Sequence, residues 1–101
     1  MAKPKWKFLR SYRGVDVYYA ANKAALRELG GADAVYEGGE IFVRDSNPSR
    51  ETLRHEHRHA QQHASMGFLF TPAYFVCDLF FGYDGNPFEE DARAYARRGR
   101  A

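Results

Sequence analysis

Apolar and polar positions alternate in two stretches near the N-terminus, over 5–8 and 15–19. A period of two is typical of a half-buried strand, so these stretches predict two short strands or a hairpin. Two further short runs, over 34–37 and 40–44, flank the Gly38-Gly39 pair. Paired glycines adopt the turn that best matches twisted antiparallel strands, and they therefore predict a second hairpin.

Helical spacing replaces this alternation in the rest of the chain. A helix is predicted over 20–29, where Asn22 can cap the first turn and a glycine pair ends the helix. A longer helix is predicted over 48–66, with either Ser46 or Asn47 as its cap.

Two more helices complete the predicted fold. The stretch from Thr71 to Gly82 is apolar on nearly every side, so we expect it to be buried on most sides. The last helix is predicted over 86–98, because an Asn-Pro pair suits a helix start. Strands followed by helices in this order predict a single α+β domain over 1–101.

The chain has room for one hydrophobic core. It has 101 residues, of which 45% are hydrophobic and 16% aromatic, and this composition argues against disorder. Its single cysteine, Cys77, excludes an internal disulfide framework and a cysteine-rich zinc site. The formal net charge of +2 is close to neutral, which disfavours nucleic acid as a partner.

We expect a cytoplasmic protein that does not enter a membrane. The basic N-terminal residues are not followed by the apolar run of a secretory signal, which leaves open only a non-classical route of secretion. The most apolar stretch, 66–83, is short for a membrane span and contains Thr71, Pro72 and Asp78.

One segment carries recognisable chemistry. His55, Glu56 and His59 form an H-E-x-x-H motif inside the predicted long helix. Residues four apart lie one turn apart and about 40° apart around the helix axis, so both imidazoles face the same side. Two nitrogen donors beside one carboxylate suit a zinc ion that keeps a position open for water, with Glu56 as the general base. The alternative is an ordinary polar helix face.

The two other histidines do not extend the motif. His63 lies one turn beyond His59, but Ala60 follows His59, so that pair has no base beside it. His63 is also about 12 Å from His55 along the helix axis, which is too far to share one ion. His57 points about 200° away from His55. We expect His57 and His63 to be solvated or to lie at the edge of the core.

A third ligand has to come from a downstream carboxylate. The acidic candidates are Asp78, Asp84, Glu89, Glu90 and Asp91. In the last helix, Glu89 and Asp91 flank the apolar stripe, whereas Glu90 lies opposite it and is expected to be solvated. Acidic residues in a first turn also favour the helix dipole, so the pattern alone leaves Glu89 and Asp91 both open.

Two segments of the chain together resemble a known family. His55-Glu-x-x-His59, followed by Asn-Pro-Phe-Glu-Glu-Asp-Ala over 86–92, resembles gluzincin-type zinc metallopeptidases. The likeness is strongest to the small minigluzincins and to the peptidase-like domain associated with contractile injection systems, and it covers 41–95. It implies a zincin-like fold, in which a small mixed β-sheet packs on the H-E-x-x-H helix and a C-terminal glutamate-bearing helix closes the site.

The resemblance also implies roles for single residues. His55 and His59 would bind one zinc ion, and Glu89 would be the third ligand. Glu56 would be the general base that activates a water for peptide hydrolysis. The protein would then be a zinc metalloendopeptidase that acts on a peptide or protein substrate.

The sequence departs from the family pattern at one position. Many gluzincins carry an aspartate four residues after the ligand glutamate, where it orients a motif histidine, whereas this chain has Arg93. Asp91 matches the second acid of the family pattern, and either it takes over the orienting role or the site is weaker than is usual in the family.

Hydrolysis also needs a donor to the developing oxyanion and a place for the substrate. The candidate donors are Tyr83, Tyr95 and His63. The predicted strand over 40–44 is a candidate edge for pairing with an extended peptide.

Two other functions stay open on the sequence alone. The arginine at position 93 favours a zinc-binding structural or assembly module without turnover. Basic residues around Trp6 and Phe8, and at the C-terminal end up to Arg100, favour a nucleic-acid-binding protein with an incidental motif. So small a domain offers few walls for a specificity pocket, which is compatible with loose substrate choice, latency or a homodimer.

Overall fold

Four short strands form one mixed sheet with the spatial order β1-β2-β4-β3. The computed structural model describes residues 2–98. The strands are β1 (Trp6–Tyr12), β2 (Val15–Ala20), β3 (Ala34–Glu37) and β4 (Glu40–Val43). The pairs β1-β2 and β3-β4 are antiparallel, and the parallel pairing of β2 with β4 joins the two hairpins. Both predicted hairpins are therefore confirmed.

In both hairpins, the two residues of the turn have positive φ angles. Arg13 and Gly14 have φ of 49° and 85°, and Gly38 and Gly39 have φ of 60° and 87°. Two consecutive residues with positive φ form the turn whose twist matches that of antiparallel strands. Because β4 lies between β2 and β3, the prediction that 40–44 offers an edge to a peptide is wrong. The edge strand on this side of the sheet is β3.

Four α-helices and one 3-10 turn accompany the sheet in residues 2–98. The helices are α1 (Lys23–Leu29), α2 (Arg50–Met66), α3 (Phe70–Gly85) and α4 (Pro87–Arg98), and the turn spans Gly67–Leu69. Asn22 caps α1 as predicted, by accepting a hydrogen bond from the backbone N–H of Ala25. The mixed α+β class is confirmed. Arg100, at the basic C-terminal end, lies outside the described residues.

The N-terminal cap of α2 is Ser49, so the prediction of Ser46 or Asn47 is wrong. Ser49 Oγ accepts a hydrogen bond from the backbone N–H of Thr52 at 3.0 Å. The reason for the later start is local, because the side chain of Asp45 accepts a hydrogen bond from the N–H of Asn47 at 2.9 Å. This contact forms a turn before the helix can begin.

The hydrophobic core lies between the sheet and α2. Val17, Ile41, Val43 and Leu53 are at most 1% exposed and form one cluster. Helix α4 packs on another side of α2, and its residue Ala92 is completely buried. Helix α2 is therefore the central element, with the sheet and α4 both packed against it.

Helix α3 is largely exposed, and the prediction that it is buried on most sides is wrong. Phe75, Leu79 and Phe80 expose 63%, 82% and 75% of their surface. Only the inner side of the helix packs, where Phe70 is buried against the ring of Phe88 in α4. In residues 2–98, no other element covers the outer side. The apolar composition of α3 therefore does not reflect a place in the core.

The regular part of α3 ends at Gly82, as predicted, because a φ of 73° leaves the helical region. The helical run over 50–85 includes α2, the 3-10 turn and α3. It contains a stretch that is long and apolar enough to cross a membrane, judged by length and composition only, and 6% of that stretch is buried.

Replacing Ser49 with alanine is expected to lower the free energy of unfolding by about 1 kcal/mol, because the first turn of α2 loses its cap. Ser46→Ala, in the preceding loop, is the matched control and should change this free energy by no more than about 0.5 kcal/mol. Chemical denaturation followed by circular dichroism measures both. Equal losses in the two variants would contradict the assignment of Ser49 as the cap.

Candidate metal centre

Two imidazoles of α2 face one carboxylate of α4. His55 Nε2 lies 2.9 Å from Glu89 Oε1, and His59 Nε2 lies 3.2 Å from the same oxygen. The four-residue spacing of the motif accounts for this arrangement, since one helical turn puts both rings on one face, with centroids 5.1 Å apart. Of the two acids that the pattern left open, Glu89 rather than Asp91 meets the histidines.

His55, His59 and Glu89 form a group that could hold a metal ion. Their ligand atoms all lie within 4.8 Å of one another. Glu89 is 3% exposed and His59 is 6% exposed. A buried carboxylate needs a positive partner or hydrogen bonds, and a divalent cation bound by imidazole nitrogens and a carboxylate oxygen meets that need. The donor set therefore fits a metal.

Asn86 helps to bring Glu89 to the site. Its side chain is completely buried, and its amide nitrogen donates to the backbone carbonyl of Tyr74 at 3.1 Å. Its side-chain oxygen accepts from the N–H of Phe88 at 2.9 Å. The first bond ties the start of α4 to α3, and the second satisfies a backbone donor in the first turn. Glu89 follows within that turn and points towards α2.

The second carboxylate oxygen of Glu89 is held by Tyr74, whose hydroxyl donates to Oε2. Burial alone would raise the pKa of Glu89, but hydrogen bonds from His55, His59 and Tyr74 together outweigh it and hold this pKa well below its ordinary value. The carboxylate is therefore ionised, which is the state that binds a cation. Burial, with the negative charge of Glu89, raises the pKa of Tyr74, so its hydroxyl stays a donor.

Gln62 orients one of the two histidines. Its side-chain oxygen lies 2.8 Å from His59 Nδ1, so that nitrogen is the donor to Gln62, and Nε2 is the ring nitrogen that faces Glu89. The amide nitrogen of Gln62 donates to Asp91 Oδ2 and to the carbonyl of Phe88, both at 2.9 Å. Both ends of the glutamine amide are therefore fixed.

Asp91 contributes to the orientation of His59 indirectly. It reaches His59 through Gln62 and makes no direct contact with the imidazole. Arg58 donates to both oxygens of Asp91, at 2.7 Å and 3.2 Å, and this hydrogen bonding lowers the pKa of Asp91. Arg93 donates instead to a backbone carbonyl near the end of α3, at 2.6 Å. Gln62 and Asp91 together thus supply the orienting contact that the arginine does not.

Glu56 lies beside the metal-binding group and is 8% exposed. Burial raises the pKa of Glu56 above its ordinary value, while His59, His55 and the backbone N–H of Tyr36 act in the opposite direction. A carboxylate with a raised pKa accepts a proton more readily than a solvated one. Glu56 therefore lies beside the two histidines in a state suited to accept a proton.

A cavity of about 430 Å³ opens over this group of residues. Residues of β3 and the adjoining loops line one wall, and α3 supplies another through aromatic side chains that include Phe70 and Tyr74. His55, Glu56, His59 and Glu89 also line the cavity. The edge strand and the metal-binding group therefore share one space.

Two of the three predicted helper residues line this cavity. His63 Nδ1 lies 2.7 Å from the hydroxyl oxygen of Tyr36 on β3. Tyr83 also faces the cavity, and burial followed by the charge of Glu89 raises its pKa. Both side chains stand where a ligand in the cavity can meet them. His63 is half-buried, which confirms the expectation that it is solvated or lies at the edge of the core.

Tyr95 does not line the cavity. Its ring lies under the guanidinium groups of Arg54 and Arg58, at 4.3 Å and 4.8 Å, and its hydroxyl accepts from Arg13. Tyr95 lies further along α4 than Glu89, where it contacts the N-terminal half of α2 outside the cavity. His57 packs against the Tyr95 ring and is 8% exposed, which places it at the edge of the core.

The remaining acidic candidates also lie outside the group. Asp84 and Glu90 are exposed, which confirms the prediction that Glu90 is solvated. Asp78 is partly buried on α3 and does not line the cavity.

Sequence reasoning missed Gln62, Tyr74 and Asn86. Gln62 could have been found, because it follows His59 by three residues and side chains at that spacing are neighbours on a helix. Tyr74 and Asn86 carry no such local signal. Their contacts depend on how α3 and α4 pack, which the motif spacing does not specify.

No protein-family model, curated protein or solved structure matches the chain. The donors, their burial and their hydrogen bonds are therefore the grounds on which a function can be assigned.

Replacing Gln62 with alanine is expected to weaken binding of a divalent metal ion by about 10- to 100-fold, because His59 loses the partner that orients it. Gln61→Ala is the matched control, since Gln61 accepts a hydrogen bond from Arg58 and contacts no histidine in the described part of the chain. Titration with Co²⁺ followed by visible absorption measures both affinities. Equal affinities in the two variants would show that Gln62 does not orient a ligand.

Proposed function

We propose that this protein is a zinc-dependent metallopeptidase. The observation that carries the proposal is the meeting of His55, His59 and Glu89 around one point, with Glu56 beside them and a strand edge along the same cavity. Two imidazoles and one carboxylate are a donor set that catalytic zinc sites use, with a further position free for water. The cofactor is therefore proposed to be one zinc ion.

The fold and family are part of the same proposal. An H-E-x-x-H helix packed on a small mixed sheet, with a glutamate donated by a later helix, is the arrangement that the resemblance to gluzincins implies. The direct contacts of Glu89 with both motif histidines support this assignment. We infer a zincin-like fold in a minimal form.

The chemistry follows from the residues that would surround the ion. Zinc, when bound, lowers the pKa of water and polarises the carbonyl of a peptide bond. Glu56 accepts the proton of the attacking water and delivers it to the leaving nitrogen. Its burial favours the first step, since a buried carboxylate is a better base than a solvated one.

The substrate is proposed to be an extended peptide that lies along β3. This strand is at the edge of the sheet, so one row of its backbone donors and acceptors faces away from β4. Val35, Tyr36 and Glu37 of this strand line the cavity. Strand pairing holds a peptide by its backbone and tolerates many side chains, which suits a domain with few walls.

Two side chains are the candidate donors to the oxyanion that develops on the peptide carbonyl. Tyr83 and the His63–Tyr36 pair both face the cavity, and a donor aimed at that oxygen stabilises the transition state. Tyr95 is left out of this role, because it does not line the cavity.

Purified protein is expected to bind one zinc ion per chain and to cleave quenched-fluorescent peptides. Glu56→Gln should keep the zinc and lose at least about 100-fold in kcat/KM, because the general base is removed and the ligands remain. Glu90→Gln, an exposed neighbour of the ligand glutamate, is the control and should keep both zinc and activity. Metal analysis and peptide cleavage are the two measurements.

The outcomes separate the competing functions. Zinc binding without cleavage, or cleavage that Glu56→Gln leaves unchanged, would indicate a structural zinc module or a contaminating peptidase. A protein that binds no zinc but binds DNA with a steep salt dependence would indicate a nucleic-acid-binding protein.

A further inference from the structure

The outer side of α3 is an apolar surface that no described element covers. Phe75, Val76, Leu79 and Phe80 expose between 54% and 82% of their surface. At 100° per residue these four positions fall within an arc of about 140° on one side of the helix. Large side chains that recur in this way along one exposed side mark a contact surface and not a scatter of single residues. We call these four residues the α3 face.

The area of this surface matches what protein association needs. Phe68 and Leu69, which lead into α3, are 88% and 55% exposed. Together with the α3 face they expose on the order of 700 Å², since a phenylalanine side chain has roughly 150–250 Å² to bury and leucine and valine have less. A stable interface removes about 800 Å² from each partner, whereas the largest apolar patch of a typical monomer is about 300–600 Å².

The charges around the face argue for a protein partner over a lipid surface. The sequence has neither lysine nor arginine between Arg58 and Arg93, and in that interval Asp84 and Glu90 are exposed acids. Helices that lie on membranes are flanked by cations that meet anionic lipids. The straight part of α3, from Phe70 to the bend at Gly82, is about 18 Å long, compared with about 30 Å for the apolar layer of a bilayer.

We propose that a second copy of this chain covers the α3 face, with the α3 helices of the two copies packed against each other across a two-fold axis. A two-fold contact uses the same surface on both copies, so one uncharged face on each chain is sufficient. Asp78 is the single charged residue between Gly67 and Tyr83, and its position on the helix lies outside the arc of the face. It therefore does not oppose its own copy across the axis.

The second copy also borders the metal-binding cavity. Phe75 belongs to the α3 face and at the same time lines the cavity. Pairing through α3 therefore covers the exposed part of Phe75 and adds a wall beside the cavity. The association itself does not depend on the proposed peptidase activity.

Sedimentation equilibrium of the full chain tests this proposal without any measurement of activity. Wild-type protein is expected to have twice the 11.6 kDa mass of one chain. The double variant Leu79→Glu/Phe80→Glu should raise the dimer Kd by at least about 30-fold. This factor corresponds to a loss of about 2 kcal/mol in the free energy of association, which is typical of losing a central contact. Phe8→Glu is the matched control, because Phe8 is 56% exposed on β1 and should leave the dimer unchanged.

A second measurement covers the case in which the double variant fails to fold. In a Cys77→Ala background, Leu79→Cys should form a disulfide-linked dimer under mild oxidation at dilutions where Phe8→Cys does not. A wild-type monomer, a dimer that survives both glutamates, or equal crosslinking of the two cysteine variants would overturn the proposal. Flotation of wild-type protein with phosphatidylcholine vesicles, together with a monomeric mass in their absence, would assign the face to a lipid surface instead.

Discussion

The buried carboxylate of Glu89 is the constraint on which the rest of the site depends. An ionised acid that is 3% exposed is costly unless strong donors surround it. Two donors come from α2, and a third comes from Tyr74 of α3. Glu89 therefore joins three helices at one point. The same property, negative charge held out of water at a fixed place, is what makes the point suitable for a cation.

The different sides of helix α2 contact different parts of the molecule. Leu53 packs into the core with the sheet, His55 and His59 face the cavity, and Arg58 binds Asp91 of α4. The sheet determines the position of β3 along the cavity, and α4 determines the position of Glu89. The cavity thus combines an edge strand with a charged end, and this combination is the basis on which peptide hydrolysis is proposed.

Local rules in the sequence account for most of the fold and for the centre of the site. Glycine pairs and alternation predicted both hairpins, and the four-residue spacing of His55 and His59 predicted one shared face. Contacts between distant elements were not predictable in this way. The cap at Ser49 depends on a turn made by Asp45, and the role of Tyr74 depends on the packing of α3. The exposure of α3 was missed because an apolar helix looks the same in a core and at an interface.

The assignment of His55, His59 and Glu89 as the metal ligands is tested by the position of zinc in a crystal of the zinc-loaded protein, measured by anomalous scattering at the zinc edge. This assignment predicts one peak, about 2.0–2.2 Å from a ring nitrogen of His55, a ring nitrogen of His59 and a carboxylate oxygen of Glu89. A peak coordinated by other side chains, such as His63, or a zinc position that leaves Glu89 unbound, would contradict it.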